Sequence, residues 1–161
     1  MIGKAIQDLY SEDYSHCYGC GRLNNYGLQI KSFWDSGKSI CRYTPKPYYT
    51  AIPGYVYGGL IASIIDCHAT GTSSAVVYIN EKNKKPGDPP PRFLTASLHI
   101  DYLNPTPLGV TLEVKAEPIE IKGRKVVVHA ELYADDLLCA QGEVVTVQMS
   151  EERLQKLIKN S

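Results

Sequence analysis

The sequence predicts an α+β fold in which a curved antiparallel sheet wraps around one long central helix. One run, Gly58 to Tyr78, keeps helical spacing and is apolar or small nearly all the way round, as an enclosed helix must be. Strand-like runs flank it, two before and four after, separated by tight-turn residues. A single helix with an apolar circumference needs a sheet that curls around it.

Residues 1–27 are polar, rich in Tyr, Gly and Asn, and read as a short helix followed by irregular chain. Leu28 to Trp34 and Lys38 to Thr44 read as two strands joined at Asp35-Ser36-Gly37. Pro45, Pro47 and Pro53 then interrupt regular structure. In the helix, Leu60, Ile61, Ile64, Ile65, Ala69, Ala75 and Val76 carry the apolar spacing, while Ala62, Ser63, Cys67, Thr70, Gly71 and Ser74 let other backbone approach. The Pro- and Lys-rich stretch from Asn80 to Arg92 reads as a surface loop.

A four-strand antiparallel meander is expected next, over Thr95–Leu103, Thr111–Glu117, Arg124–Ala134 and Leu137–Gln148, with turns at Lys122-Gly123 and Asp135-Asp136. In the first of these strands, alternation puts Thr95, Ser97, His99 and Asp101 on one face. Ser150 caps a short polar helix. The expected organisation is an N-terminal segment over 1–27, one domain over 28–149 and a terminal helix over 150–161.

Composition narrows the function. Lys+Arg and Asp+Glu balance at 17 each, so no global field draws nucleic acid, and an anionic ligand needs local cations. Met1 to Leu9 lacks a secretory core, and no run is expected to approach a membrane span. Five cysteines without a secretion signal favour reduced thiols and a cytoplasmic setting. Cys17 and Cys20 form a C-x-x-C with no second pair, so neither a metal site nor a cofactor is expected; a turn packing the N-terminal segment near the pocket is.

The chemistry concentrates between Pro53 and Asp66. The Gly58-Gly59 pair opens the helix, where unpaired N–H groups and the positive end of the helix dipole can hold a developing oxyanion. Asp66 is the lone acid among Leu, Ile and Ala, costly to bury and so a candidate base or nucleophile. His68, about 200° around the helix from Asp66, faces the core or a partner, and His129 is an exposed strand residue.

Three segments together resemble the hotdog-fold acyl-CoA thioesterases, particularly the phenylacetyl-CoA-type and human mitochondrial-type members. They are Cys17-Tyr18-Gly19-Cys20-Gly21 with Asn24, Gly27 and Leu28; the glycine–helix–Asp66 segment; and Thr95 to Tyr102 followed by Asn104-Pro105-Thr106-Pro107-Leu108. The resemblance covers roughly residues 17–148. It implies hydrolysis of an acyl-CoA, with Asp66 as the catalytic acid, Gly59 as backbone donor to the thioester oxygen and Thr95 orienting the water. It further implies contact of Arg124 and Lys125 with the coenzyme A moiety. Many members carry His before the glycine pair; here stands Tyr57, whose phenol can donate a hydrogen bond but carries no positive charge. Gly58 and Tyr57 would line the substrate, and Asp101, beside His99, would touch it at a rim.

Seven residues separate Gly59 from Asp66, about 10 Å along a helix axis, so one chain cannot present both to the same carbonyl. Two helices antiparallel across a two-fold axis would bring each Asp66 opposite the other Gly59, hence a homodimer, or a dimer of dimers joined through open sheet edges. The competing expectations are a non-hydrolytic ligand-binding hotdog protein and a hydratase or dehydratase.

Overall fold

A computed structural model describes residues 3–160; Met1, Ile2 and Ser161, the outer ends of the two expected terminal segments, lie outside the described residues. Strands β1 (Phe33–Asp35), β2 (Lys38–Tyr43), β3 (Phe93–Tyr102), β4 (Leu112–Lys122), β5 (Lys125–Ala134) and β6 (Leu137–Gln148) form one antiparallel sheet. Helix α1 (Gly58–Asn80) lies against five of these strands, and α2 (Glu151–Lys159) closes the described chain.

The sheet order is β1-β2-β4-β5-β6-β3, which corrects the expected four-strand meander. Only β4, β5 and β6 meander. Strand β3 pairs with β6 at the far edge, and the chain after it crosses the end of the sheet to reach β4. That crossing is held by backbone bonds outside the ladders: Leu103 and Asn104 N–H to the Cys139 carbonyl, and Val56 N–H to the Thr106 carbonyl at 2.9 Å. Strand β4 runs past Glu117 to Lys122 through a bulge between Pro118 and Glu120, beside a proline that lacks a ladder N–H.

The expected Leu28–Trp34 strand is also corrected: only Phe33 onward joins the sheet. Gln29 has a φ of 58°, incompatible with an extended run, and the segment bonds the N-terminal chain instead. Leu28 N–H meets the Tyr18 carbonyl, Ile30 N–H the Gly19 carbonyl, and Ser32 N–H the Gln7 side chain. The expected N-terminal helix is two 3₁₀ turns, Ile6–Leu9 and Glu12–Tyr14. The β1–β2 turn has Ser36 and Gly37 at positive φ, as a two-residue hairpin requires, and Ser150 Oγ accepts the Arg153 N–H at the start of α2.

Ile64, Ile65 and Ala69 of α1 share one core with Val114, Val126, Val128, Leu132, Ala140 and Val144 of the sheet. Contact is close at Gly142, where a Cβ would lie 3.0 Å from Ile65. By length and composition α1 could cross a bilayer, contrary to the expectation that no run approaches a span; most of it is instead buried against the sheet. His68 faces the core, its ring bonded to Ser32 Oγ at 2.8 Å and the Ser39 carbonyl at 3.2 Å, and burial lowers its pKa to about 4.

Candidate active site

Helix α1 is entered through two anchored residues: Val56 N–H bonds Thr106 and Tyr57 N–H bonds the Tyr49 carbonyl at 3.0 Å. Tyr57 keeps an extended backbone, so Gly58 and Gly59 sit in the first turn, where N–H groups have no intrahelical acceptor. The Tyr57 ring folds over Gly59, close enough that a Cβ there would lie 2.3 Å from a ring carbon. The Tyr102 hydroxyl donates to the Gly58 carbonyl at 2.8 Å, tying β3 to the helix start. Beside this turn, Val56, Gly58, Ile61, Tyr102 and Leu103 line an open groove of about 290 Å³.

From the turn, a stripe of half-buried residues runs down the otherwise enclosed helix: Gly59, Ala62, Ser63, Asp66 and Thr70. Their spacing of three and four residues puts them on one face. All but Asp66 are small. Asp66 accepts a hydrogen bond from Thr95 Oγ1 at 2.5 Å through Oδ1, while no partner takes Oδ2 among the described residues. Burial raises the Asp66 pKa above the ordinary carboxylate range, against the opposing effect of the Thr95 bond.

Thr95 reaches Asp66 because β3 is bulged between Thr95 and Ser97. The extra residue shifts the alternation, so Phe93 and Thr95 share the helix side with Ile100 and Tyr102. This corrects the expected common face for Thr95 and Asp101. Asp101 lies on the other face of the sheet, bonded to His99 at 3.2 Å and Gln141 at 3.3 Å, in a groove with His129 and Glu143. The structure does not bring it to Asp66.

Arg124 and Lys125 stand at the β4–β5 turn. Lys125 pairs with Glu120 at 2.8 Å, and Arg124 is exposed. The register aligns Lys125 with Val147 and Val147 with Leu94, so both cations lie two strand spacings from the Thr95 end of β3, about 10 Å. One chain therefore assembles two separate groups, Asp66 with Thr95, and Tyr57, Gly58 and Gly59 with Tyr102, about two turns apart along one open stripe. Strand β3 beside the stripe is a free edge with Leu94, Leu98 and Tyr102 at 43%, 39% and 55% exposure.

Two features escaped the sequence reading. Tyr102 was legible only as an apolar strand position; its hydroxyl bond to Gly58 depends on the sheet order. Cys67, buried on α1, meets Cys17 and Cys20, with all three sulfurs within 4.8 Å of one another. The neighbouring Cys20 and Cys67 thiols favour the thiolate of Cys17, whose pKa falls far below the usual thiol range, while the bond to Cys17 and burial push Cys20 up to about 11.

A family model described as the thioesterase superfamily matches residues 53–141, more than half of the chain. The chain belongs to that superfamily. A solved thioesterase superfamily protein from Shewanella loihica PV-4 is 48% identical, with a TM-score of 0.66 over 85% of this chain and 96% of that one. The architecture is thus the expected hotdog fold. The PaaI protein of E. coli, from the phenylacetic acid degradation operon, shares the fold at 16% identity and a TM-score of 0.62, over 76% of this chain and 81% of that one. Among curated relatives, acyl-coenzyme A thioesterase THEM4 of Xenopus laevis is 31% identical over 112 residues, 68% of this chain and 45% of that protein. THEM5 of Mus musculus is 31% identical over 103 residues, 62% of this chain and 36% of that protein. The chain thus spans less than half the length of these relatives.

Proposed function

We propose that the chain is an acyl-CoA thioesterase, acting in a reducing, cytoplasmic setting as a homodimer whose two sites each draw on both subunits. The observation that carries this reading is the Asp66–Thr95 pair: an acid on an apolar helix, aimed by one hydroxyl, with its second oxygen free. Relatives named acyl-coenzyme A thioesterases support the substrate class.

In the water route, Asp66 Oδ2 removes a proton as water oxygen attacks the thioester carbon. The carbonyl electrons move onto oxygen, which the partner's helix start receives at the Gly59 N–H; one such donor is worth on the order of 3 kcal/mol. Collapse expels coenzyme A thiolate, and Asp66 returns the proton to sulfur, leaving free acid and thiol. A raised pKa suits Asp66 to both transfers. Because the Thr95 hydroxyl proton is committed to Asp66, Thr95 holds the water as an acceptor. In the alternative route Asp66 attacks the carbon directly, and water hydrolyses the mixed anhydride. Arg124 would meet phosphate; Lys125 would have to leave Glu120 to do so.

The open stripe of small residues and the exposed β3 edge support the dimer, since a long apolar edge in water invites pairing. The Tyr57 ring packed against Gly59, where many members carry His, favours one second reading, a binder that holds acyl-CoA without hydrolysis. Incubation with a panel of acyl-CoAs, following thiol release, separates the two. Turnover abolished by Asp66→Asn is expected; tight binding of acyl-CoA with no thiol released would establish the binder. The hydratase reading lacks its histidine, because His68 is committed to Ser32 and Ser39 in the core.

A further inference from the structure

Five free cysteines are distributed unequally. Cys41 and Cys139 sit singly among apolar side chains, as buried thiols ordinarily do. Cys17, Cys20 and Cys67 converge from two distant parts of the chain on one point. Cys17 and Cys67 sulfurs are 3.9 Å apart. Two thiolates on one tetrahedral ion, with metal–sulfur bonds of about 2.3 Å, stand roughly 3.8 Å apart; a disulfide would need about 2.05 Å. The spacing fits a shared ion better than a covalent bond.

The surrounding backbone is shaped to this convergence. A Cβ at Gly19 would lie 2.2 Å from the Cys67 sulfur, and one at Gly21 would lie 2.4 Å from the Cys17 backbone nitrogen. Both glycines of the Cys17-Tyr18-Gly19-Cys20-Gly21 turn are thus needed to seat it on α1. Gly21 N–H closes the turn on the Cys17 carbonyl at 2.8 Å. Cys17 is part-exposed, which gives an ion a way in.

We propose that Cys17, Cys20 and Cys67 form a three-thiolate site for one thiophilic metal ion of the zinc type, clamping the N-terminal turn to α1 at the residue beside Asp66. Three protein donors leave the fourth tetrahedral position to a small ligand. The ion would cross-link residues 17–20 to position 67, and thereby hold the N-terminal segment on the helix that carries the acid. The site stands whether or not the chain hydrolyses thioesters.

The test is metal binding by the whole chain, purified under reductant with all thiols titratable. Zn²⁺ titration against a chromophoric chelator, and Co²⁺ substitution, are the probes. One ion per chain is expected, with sulfur-to-cobalt charge-transfer bands and the d–d absorption of a tetrahedral site. Cys17→Ser and Cys67→Ser should each weaken Zn²⁺ more than about 100-fold, beyond the usual cost of losing an outer-shell partner. Cys41→Ser should leave affinity unchanged. Zn²⁺ should also raise the melting temperature of the parent and not of Cys17→Ser. Should Cys67→Ser fail to fold, the part-exposed Cys17 position decides alone. Fully reduced protein that takes up no Zn²⁺ or Co²⁺, or binds equally tightly after Cys17→Ser, would overturn the site.

Discussion

The two halves of α1 place polar residues in opposite situations. From Cys67 to Val76 only Thr70 escapes full burial, yet this half holds His68, Thr72, Ser73 and Ser74. Each is satisfied internally: Thr72 donates to the His68 carbonyl at 2.8 Å, Ser73 to Ala69 at 3.0 Å, Ser74 to Pro91 at 2.6 Å. From Gly58 to Asp66 the helix is open along one face, and its one ionisable group keeps an oxygen unpaired. Satisfied polar groups in the closed half specify packing; the unsatisfied acid in the open half is available for reaction.

That contrast breaks first at Asp66. Asp66→Asn keeps shape and removes the base, so kcat should fall about 10²–10⁴-fold while the melting temperature stays near that of the parent. Thiol-release kinetics beside a thermal melt check both; near-parental turnover would move the chemistry elsewhere. Almost as large is a mixing effect. Gly59→Pro deletes the proposed oxyanion donor in the first helical turn, where proline is tolerated, displaces the exposed Tyr57 ring that its Cβ would meet, and should inactivate the chain alone. Mixed with Asp66→Asn chains and allowed to exchange subunits, it should recover about a quarter of parental activity, because half the dimers hold one intact site. Absence of recovery despite verified exchange would confine each site to one chain.

Thr95→Val sharpens the comparison by removing the single hydrogen-bond partner of the Asp66 carboxylate among the described residues. Loss of a hydrogen bond to a charged group costs about 1.5–3 kcal/mol, so kcat/KM should drop roughly ten- to a hundredfold. The Thr95 bond opposes the effect of burial on Asp66, so its removal raises the Asp66 pKa further. Activity needs the ionised acid and is lost as pH falls through that pKa. The acid limb of the pH–rate profile should therefore lie above the ordinary carboxylate range and move to higher pH in the variant; an unmoved limb would detach it from Asp66.

The open half was legible because its signals are local: a glycine pair, a helical period and one misplaced acid lie within fourteen residues of Pro53. The strands were legible for the same reason. Their order was not, since alternation states which face a residue takes and not which strand lies beside it. Thr95 shows a sharper limit. Its face follows from a bulge that strict period-two reading cannot contain, although the resemblance pointed to the residue itself. The meeting of Cys67 with Cys17 spans fifty positions and depends on Gly19 permitting the approach, a steric fact of the folded state.

The smallest effect belongs to the closed half, at Gly71. A Cβ there would lie 2.7 Å from Gln7 Nε2 and 2.8 Å from Ser32 Oγ, the two atoms joined by a 2.9 Å hydrogen bond. Ser32 Oγ also bonds His68, so the intrusion reaches the buried network holding the N-terminal segment on the helix. Gly→Ala inside a helix ordinarily gains about 1 kcal/mol. Overpacking costs about 1–3 kcal/mol, and a disturbed buried hydrogen bond about 1–3 kcal/mol more, so the steric side wins. Gly71→Ala should destabilise the fold by roughly 1–5 kcal/mol in denaturant titration, with turnover per folded molecule unchanged. A more stable Gly71→Ala would mean that this half is packed more loosely than its hydrogen bonds indicate.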